Sequence, residues 1–394
     1  MSKKEIRNGS TFHPKNVLSI SFAHFMHDVY SAFLAPILPL LIEKLSLNYF
    51  SAGMLSFAQR FPSFFNPFIG MFIDRLKIRY FVIFTPAITC IAMSLVGVAP
   101  NFIFAFTLLL FMGVSSAFFH VPAPVLIKNF SGERVGRGMS FYMVGGELAR
   151  TLGPVIIIGA VSLWSLEGTY RLMPFGIAAS GMLWYRFRNI EIKQKSRREN
   201  VGNGFKQTFQ KHLGFFLLIG GIIFSRAFMK TAIVYFLPTY LDAIGESLWF
   251  GGLSLSVFEI AGAVGTLLAG NLSDRLGRMN TLLFITIVTP ATMLLFVYAD
   301  GFWVLPVLIV MGFFILASGP VMLAMVMDKA TEHQSFMNGI YMFLNFLSGS
   351  LTALMIGFMG DWLGLIQTYK VSAYIALAAI PFVWILSRKK KGSK

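Results

Sequence analysis

Apolar runs of roughly 20 residues recur along the whole of this 394-residue chain. Helix of that length crosses the hydrocarbon core of a bilayer. The recurrence limits the fold more than any motif does. A large soluble protein with an apolar core does not need it, and such proteins carry about 25% charged residues. Here charged residues are 13% and hydrophobic ones 56%. The expected fold is an all-α polytopic membrane protein.

Twelve spans are expected. In the first half they fall at 16–42, 50–73, 79–99, 102–127, 139–163 and 169–187. In the second half they fall at 213–241, 248–273, 279–299, 302–327, 335–359 and 364–387. A tail (1–15), a polar linker (188–212) and a basic tail (388–394) complete the chain. One charged turn occurs twice, half a chain apart. Gly70, Asp74, Arg75 and Arg79 form the first copy, and Gly270, Asp274, Arg275, Gly277 and Arg278 the second. A repeat at that spacing predicts two pseudo-symmetric six-helix bundles, at 16–187 and 213–387.

Basic loops set the orientation. One side holds Lys3, Lys4, Arg7 and Lys15, both charged turns, Lys128, Arg134 and Arg137, the linker, Lys329, and the tail from Arg388 to Lys394. The other holds only Lys44, Arg171 and Lys370 among several acids. Both termini and the linker are therefore expected in the cytoplasm, with the protein in the cytoplasmic (inner) membrane. The net charge of +16 is then a topology signal and an attraction to anionic lipid, and implies no nucleic-acid partner. The single cysteine, Cys90, excludes an internal disulfide and a cysteine-based metal site. The first apolar run is long for a signal peptide and is expected to be retained. No P-loop, HExxH or nucleophile–base set marks an enzyme, and no cofactor is expected.

An ionisable group inside a span costs roughly 2.5–3.5 kcal/mol on insertion scales unless it is paired or faces water. Those in the expected spans are Asp28, Arg60, Glu147, Arg150, Arg226, Lys230 and Glu259, with His24, His27 and His120. His24 and Asp28 are at i, i+4 and can meet on one face. Such a pair can take up and release a proton near neutral pH. Proton-coupling candidates are therefore Asp28 with His24, then Glu147, then Glu259. The alternative for the first pair is a structural hydrogen bond between spans. The spacing offers too few ligands for a metal. Glu147 and Arg150, at i, i+3, pair with each other or exchange partners between states. Arg226 and Lys230, at i, i+4, repel and need relief from Glu259 or a bound anion. With Arg60, His120, Arg150 and His27 they form the substrate-binding candidates. Four cations against three carboxylates favour an anionic or zwitterionic ligand.

The two Gly-x-x-x-Asp-Arg turns resemble the signature loop of the major facilitator superfamily, although Lys77 stands where the first copy would have its second glycine. A narrower likeness, to the fosmidomycin-resistance group of bacterial efflux proteins, lies in Phe119-His120, Ser131–Gly138, Val144-Gly145-Gly146 and Leu152-Gly153-Pro154, with His24 and Asp28 upstream. Val121 separates the Phe-His from Pro122, and Glu147 and Arg150 add charge to that pattern. The resemblance implies a monomeric secondary transporter working by alternating access. It would export a small organic compound, anionic on the charge count above, in exchange for protons, with both charged turns as gating loops. Uptake or facilitated export of an organic anion is the alternative. A non-transporting receptor is the remote one.

Overall fold

The structure is a computed structural model that describes residues 4–5, 11–66, 68–69, 78–191, 204–329 and 334–391. The chain divides into two compact units. Met1–Leu47 and Ala58–Arg198 form the first, and Asn48–Phe57 and Glu199–Lys394 the second. Beyond a two-residue parallel ladder of Lys4–Glu5 with Ile190–Glu191, the described elements are helices.

The first half runs α1 (Pro14–Ser31), α2 (Leu34–Leu45), α3 (Tyr49–Arg60), α4 (Ile78–Leu95), α5 (Phe102–His120), α6 (Pro122–Ser131), α7 (Val135–Trp164) and α8 (Met173–Phe187). The second half runs α9 (Gly204–Ala243), α10 (Leu248–Leu276), α11 (Arg278–Val297), α12 (Val304–Lys329), α13 (Gln334–Leu363), α14 (Leu365–Leu377) and α15 (Ala379–Lys391).

Among the described residues, ten helical stretches are long and apolar enough to cross a membrane. They match ten of the expected spans. The other two are interrupted helices. The described part of the second expected span is α3 followed by a 3-10 turn at Phe61–Phe65, where Pro62 removes a backbone donor, and positions 67 and 70–73 lie outside the described residues. The sixth is a 3-10 segment, Glu167–Leu172, followed by α8. The expected linker is partly helical, since α9 already begins at Gly204.

Local chemistry explains the breaks. α1, α6 and α8 start with proline in the first two positions, where its fixed φ suits a first turn. Asn101 caps α5 by accepting from Phe104 N at 3.0 Å, and Ser247 caps α10 from Phe250 N at 3.1 Å. Between α10 and α11 only Gly277 intervenes, at φ +86°. That left-handed conformation makes the sharp turn of the second charged copy and suits glycine alone.

The core of the first unit joins Val17, Ile20 and Ala23 of α1 with Val82 and Ile83 of α4, Phe119 of α5, Leu126 and Phe130 of α6, Tyr142 of α7 and Leu183 of α8. The second core joins Ile219, Ile222 and Ile223 of α9 with Ile285 of α11, Met322 and Met325 of α12, and Tyr341 of α13. Tyr369 of α14 donates to Ala232 O at 2.7 Å, which ties that helix to α9.

The segment 48–57 packs into the second unit, outside the range 213–387 expected for the second bundle. Two features hold it there. An added Cβ at Gly53 would lie 2.5 Å from Ala353 O, so only glycine permits that approach to α13. Asp361 on α13 accepts from Tyr49 N at 2.6 Å and Phe50 N at 2.8 Å. The carboxylate thus satisfies two orphan donors at the start of α3 and meets the positive end of its dipole.

In the first unit, Lys44 Nζ bonds Gly97 O at 2.7 Å and Glu167 Oε1 at 2.8 Å. The Lys44 hydrogen bond holds the Glu167 carboxyl below its ordinary range. A depressed carboxyl stabilises the fold only while ionised. Its contribution is therefore full above the unfolded Glu value and fades as pH falls through the folded one. The pair is exposed, so less than about 1 kcal/mol is at stake.

Two outcomes follow. Asp361→Ala should cost about 1 kcal/mol of stability, the usual value of a lost N-terminal cap. Asp361→Asn, which keeps one acceptor, should cost less. Both are read as thermal unfolding of the purified protein. Glu167→Gln should lower the midpoint slightly at neutral pH and not at all in acid.

Candidate functional site

Asp28 is the centre of a polar cluster in the first unit. His24 and His27 come from the same helix, α1. His120 is the last residue of α5, where the chain breaks before Pro122. Tyr142, Glu147 and Arg150 come from α7. The sequence spacing predicted only the α1 and α7 pairs. Folding adds His120 and Tyr142, because α7 packs along α1 and the last two residues of α5, Phe119 and His120, reach it.

Glycine permits the α1–α7 approach. A Cβ at Gly145 would lie 2.5 Å from Ser21 O, and one at Gly153 2.7 Å from Ala32 Cβ. At Gly146 it would lie 2.5 Å from His24 Cε1. The His24 ring therefore rests on bare backbone. It also stacks on Tyr142, with centroids 3.9 Å apart and an interplanar angle of 14°. His27 stacks on Phe119 at 4.6 Å and 7°. These contacts leave both imidazoles little rotational freedom.

The hydrogen bonds fix where protons must be. His24 Nδ1 lies 2.7 Å from Tyr142 O. A carbonyl only accepts, so Nδ1 carries a hydrogen. In neutral His24 the other nitrogen, Nε2, then holds a lone pair, and it lies 3.2 Å from Asp28 Oδ2. Two acceptors facing each other at that distance repel. One proton must lie between them, on His24 or on Asp28.

The other imidazoles make no such demand. His27 Nδ1–H donates to Asp28 Oδ1 at 2.8 Å, and His27 Nε2 has no hydrogen-bond partner. His120 Nε2 lies 3.2 Å from Asp28 Oδ1. Its Nδ1 lies 3.5 Å from the Tyr142 hydroxyl, at the limit of a hydrogen bond. Both can serve as neutral donors to an ionised carboxylate.

Arg150 offers Asp28 a second cation. Its Nη1 is 3.9 Å from Asp28 Oδ2, while Nη2 pairs with Glu147 Oε1. His24, His27 and Asp28 are buried. The side chains of His120 and Arg150 are about a third exposed, at 34% and 39%.

One ligand atom each from His24, Asp28 and His120 lies within 4.8 Å of the others, a spacing that could hold a metal ion. The donor set fits a single proton better. A divalent ion would have Asp28 as its one carboxylate ligand, with the Arg150 guanidinium 3.9 Å from the same oxygen repelling it.

The remaining sequence candidates lie elsewhere. Arg60 ends α3 and is half-buried. Arg226 and Lys230 of α9 do not share a surrounding, since Arg226 is buried and Lys230 exposed. Glu259 of α10 is buried. In the first charged turn Gly70, Asp74, Arg75 and Lys77 lie outside the described residues. Arg79 reaches the Tyr80 hydroxyl at 3.0 Å. In the second turn Gly270 faces open space and Arg275 is exposed. Asp274 meets Arg278 Nη2 at 3.5 Å, and Arg278 Nε pairs with Asp328 Oδ2 at 2.6 Å. Asp328 was not a sequence candidate. It neighbours Lys329 at the end of α12 and joins the turn only through folding. Tyr142 was missed too, because its essential group is a backbone carbonyl.

Comparison with known proteins agrees with the helical architecture. The family model described as Major Facilitator Superfamily matches residues 20–353 and 251–394. The chain belongs to this superfamily of membrane transporters, which carry small molecules and are not enzymes. It is similar to the fosmidomycin resistance protein of Escherichia coli, with 24% identity over 95% of this chain and 93% of the relative. It is equally similar to the uncharacterised MFS-type transporter YfnC of Bacillus subtilis, at 24% over 96% and 93%. Among solved structures, a variant of the nucleoside transporter NupG superposes with a TM-score of 0.76 at 14% identity, covering 93% of this chain and 98% of that one. The D-xylose-proton symporter gives 0.71 at 14%, covering 93% and 96%. These likenesses show the fold.

A methyl group at position 146 has to displace the His24 ring or the backbone of α1. Gly146→Ala should therefore cost about 1–3 kcal/mol of stability, as overpacking does. Gly136→Ala, with nothing within 4 Å, should cost far less. Thermal unfolding of the two variants side by side checks the contrast.

Proposed function

We propose that the protein exports a small organic compound in exchange for protons, with the proton held between His24 and Asp28. The observation that carries this reading is the hydrogen bond from His24 Nδ1 to Tyr142 O. It leaves His24 Nε2 facing Asp28 Oδ2 at 3.2 Å, a contact that is stable only with a proton in it.

When that proton leaves, Asp28 keeps a full negative charge and Nε2 keeps its lone pair. The nearest replacement cation is Arg150, 3.9 Å from the same oxygen. Moving the guanidinium from Glu147 to Asp28 frees the Glu147 carboxylate. Proton release is thereby linked to a side-chain exchange on α7. A bundle that rocks in alternating access can respond to such an exchange. The two charged turns serve as cytoplasmic latches in this scheme, and the termini lie on the same side. Export as the direction draws support from the E. coli relative, whose name attributes to it resistance to fosmidomycin.

The test is transport by Asp28→Asn in proteoliposomes with an imposed pH gradient. Asparagine keeps the shape but cannot share an exchangeable charge. Gradient-driven transport should fall at least about a hundredfold, while substrate counterflow without a gradient persists. Wild-type response to the gradient would remove Asp28 from the role. A second outcome concerns the latches. Asp74→Asn should slow turnover more than it weakens substrate binding, measured as kcat against Kd. Unchanged turnover would reject the latch.

A further inference from the structure

Several cations of the described residues meet a carboxylate. Lys44 has Glu167, Arg150 has Glu147, and Arg278 has Asp274 and Asp328. Arg226 has none of these. It lies near the middle of α9, one turn past Ile222 and Ile223, which are part of the apolar core of the second unit. Its exposure is 5%. Among the described residues its one hydrogen bond runs from Nη1 to Thr289 Oγ1, at 3.3 Å. The Thr289 hydroxyl donates in turn to Ile285 O at 2.9 Å, so toward Arg226 it can only accept. The Nε–H is buried and has no hydrogen-bond partner.

An arginine stays charged, and it carries five N–H donors. A buried guanidinium with one neutral acceptor is expensive for the fold. Packing does not require it, since methionine or leucine would fill the same volume among these isoleucines. Tyr341, the residue of α13 within electrostatic reach, does not neutralise it, because its hydroxyl donates to Gly319 O at 3.0 Å. The unused Nε–H edge of a guanidinium matches two oxygens of a carboxylate, phosphate or phosphonate.

We infer that Arg226 is the anchor for an oxyanion group of the carried compound, with Thr289 holding the guanidinium in position from the opposite edge. This rests on the transport reading above and adds to it the chemical class of the substrate. The Nε–H is shut away in the present conformation, so the anion reaches it when the second unit opens. A neutral compound would leave the charge uncompensated in every state of the cycle.

The test measures equilibrium binding, which needs no proton gradient and so fails independently of the Asp28 experiment. The full chain is placed in phosphatidylcholine nanodiscs. Its thermal midpoint is followed against methylphosphonate, inorganic phosphate, acetate and, as a neutral control, dimethyl methylphosphonate. Wild type should be stabilised by at least one of the anions and not by the neutral ester. Arg226→Met should lose that response, with apparent affinity down at least about tenfold. Arg226→Lys should keep a weakened response, since it retains the charge without the fork.

The ligand-free midpoint supplies a second readout. Removing an uncompensated buried charge should raise it in Arg226→Met, by about 2 °C or more. An arginine with a structural role would lower it. A fall in that midpoint, or an anion response unchanged in Arg226→Met, overturns the inference. So does Arg226-dependent stabilisation by phosphatidylglycerol nanodiscs with no further response to free anions, which would assign the site to a lipid headgroup. Absence of any anion response in wild type overturns it as well.

Discussion

A charge placed among membrane helices has to be neutralised by something, and the partner can be a residue, a proton or a ligand. This constraint organises the first unit. Asp28 could not be buried in α1 without donors on every side. His24 and His27 supply two from its own helix, and His120 and Arg150 bring others from α5 and α7. The helix α7 must therefore pack on α1, and the end of α5 must reach it. Glycine at 145, 146 and 153 then becomes a requirement of the electrostatics, because bulkier residues would hold α7 too far away. The break before Pro122 is explained in the same way, since it ends α5 at His120.

Much of the fold was legible in the sequence, for a simple reason. Each span must satisfy its own backbone and face lipid or another apolar helix, so the signal is local and strong. The exceptions were also local, but of another kind. A proline at 62 and a short helix at 173–187 turned two expected spans into interrupted ones. The attachment of residues 48–57 to the second unit could not be seen. It depends on Gly53 meeting Ala353 and on Asp361 meeting two backbone amides, contacts between residues some 300 positions apart.

The candidate site was only half legible. His24 with Asp28, and Glu147 with Arg150, follow from helical spacing. His120 carried no spacing signal toward them, and a lone histidine on an apolar helix more often fills a packing role. Tyr142 could not have been chosen at all, because what it contributes to His24 is a carbonyl oxygen that every residue has. Arg226 was visible as a cation in a span, whereas the absence of a carboxylate partner among the described residues became visible only in the fold. Lys230, its neighbour in sequence, turned out to be exposed and so belongs to a different environment.

The bare backbone under His24 has a mechanical side. With no side chains between them at 145, 146 and 153, α1 and α7 are keyed together along several turns, and sliding either one would drive carbonyls and rings into each other. Displacements within the first unit must therefore carry this pair as a single rigid strut. Asp28, His24, His27 and the backbone at Glu147 and Arg150 then keep their mutual positions through any larger movement. What can change is the rotamer of Arg150, whose guanidinium lies between Glu147 Oε1 and Asp28 Oδ2. The pair works as a fixed frame around one movable arm.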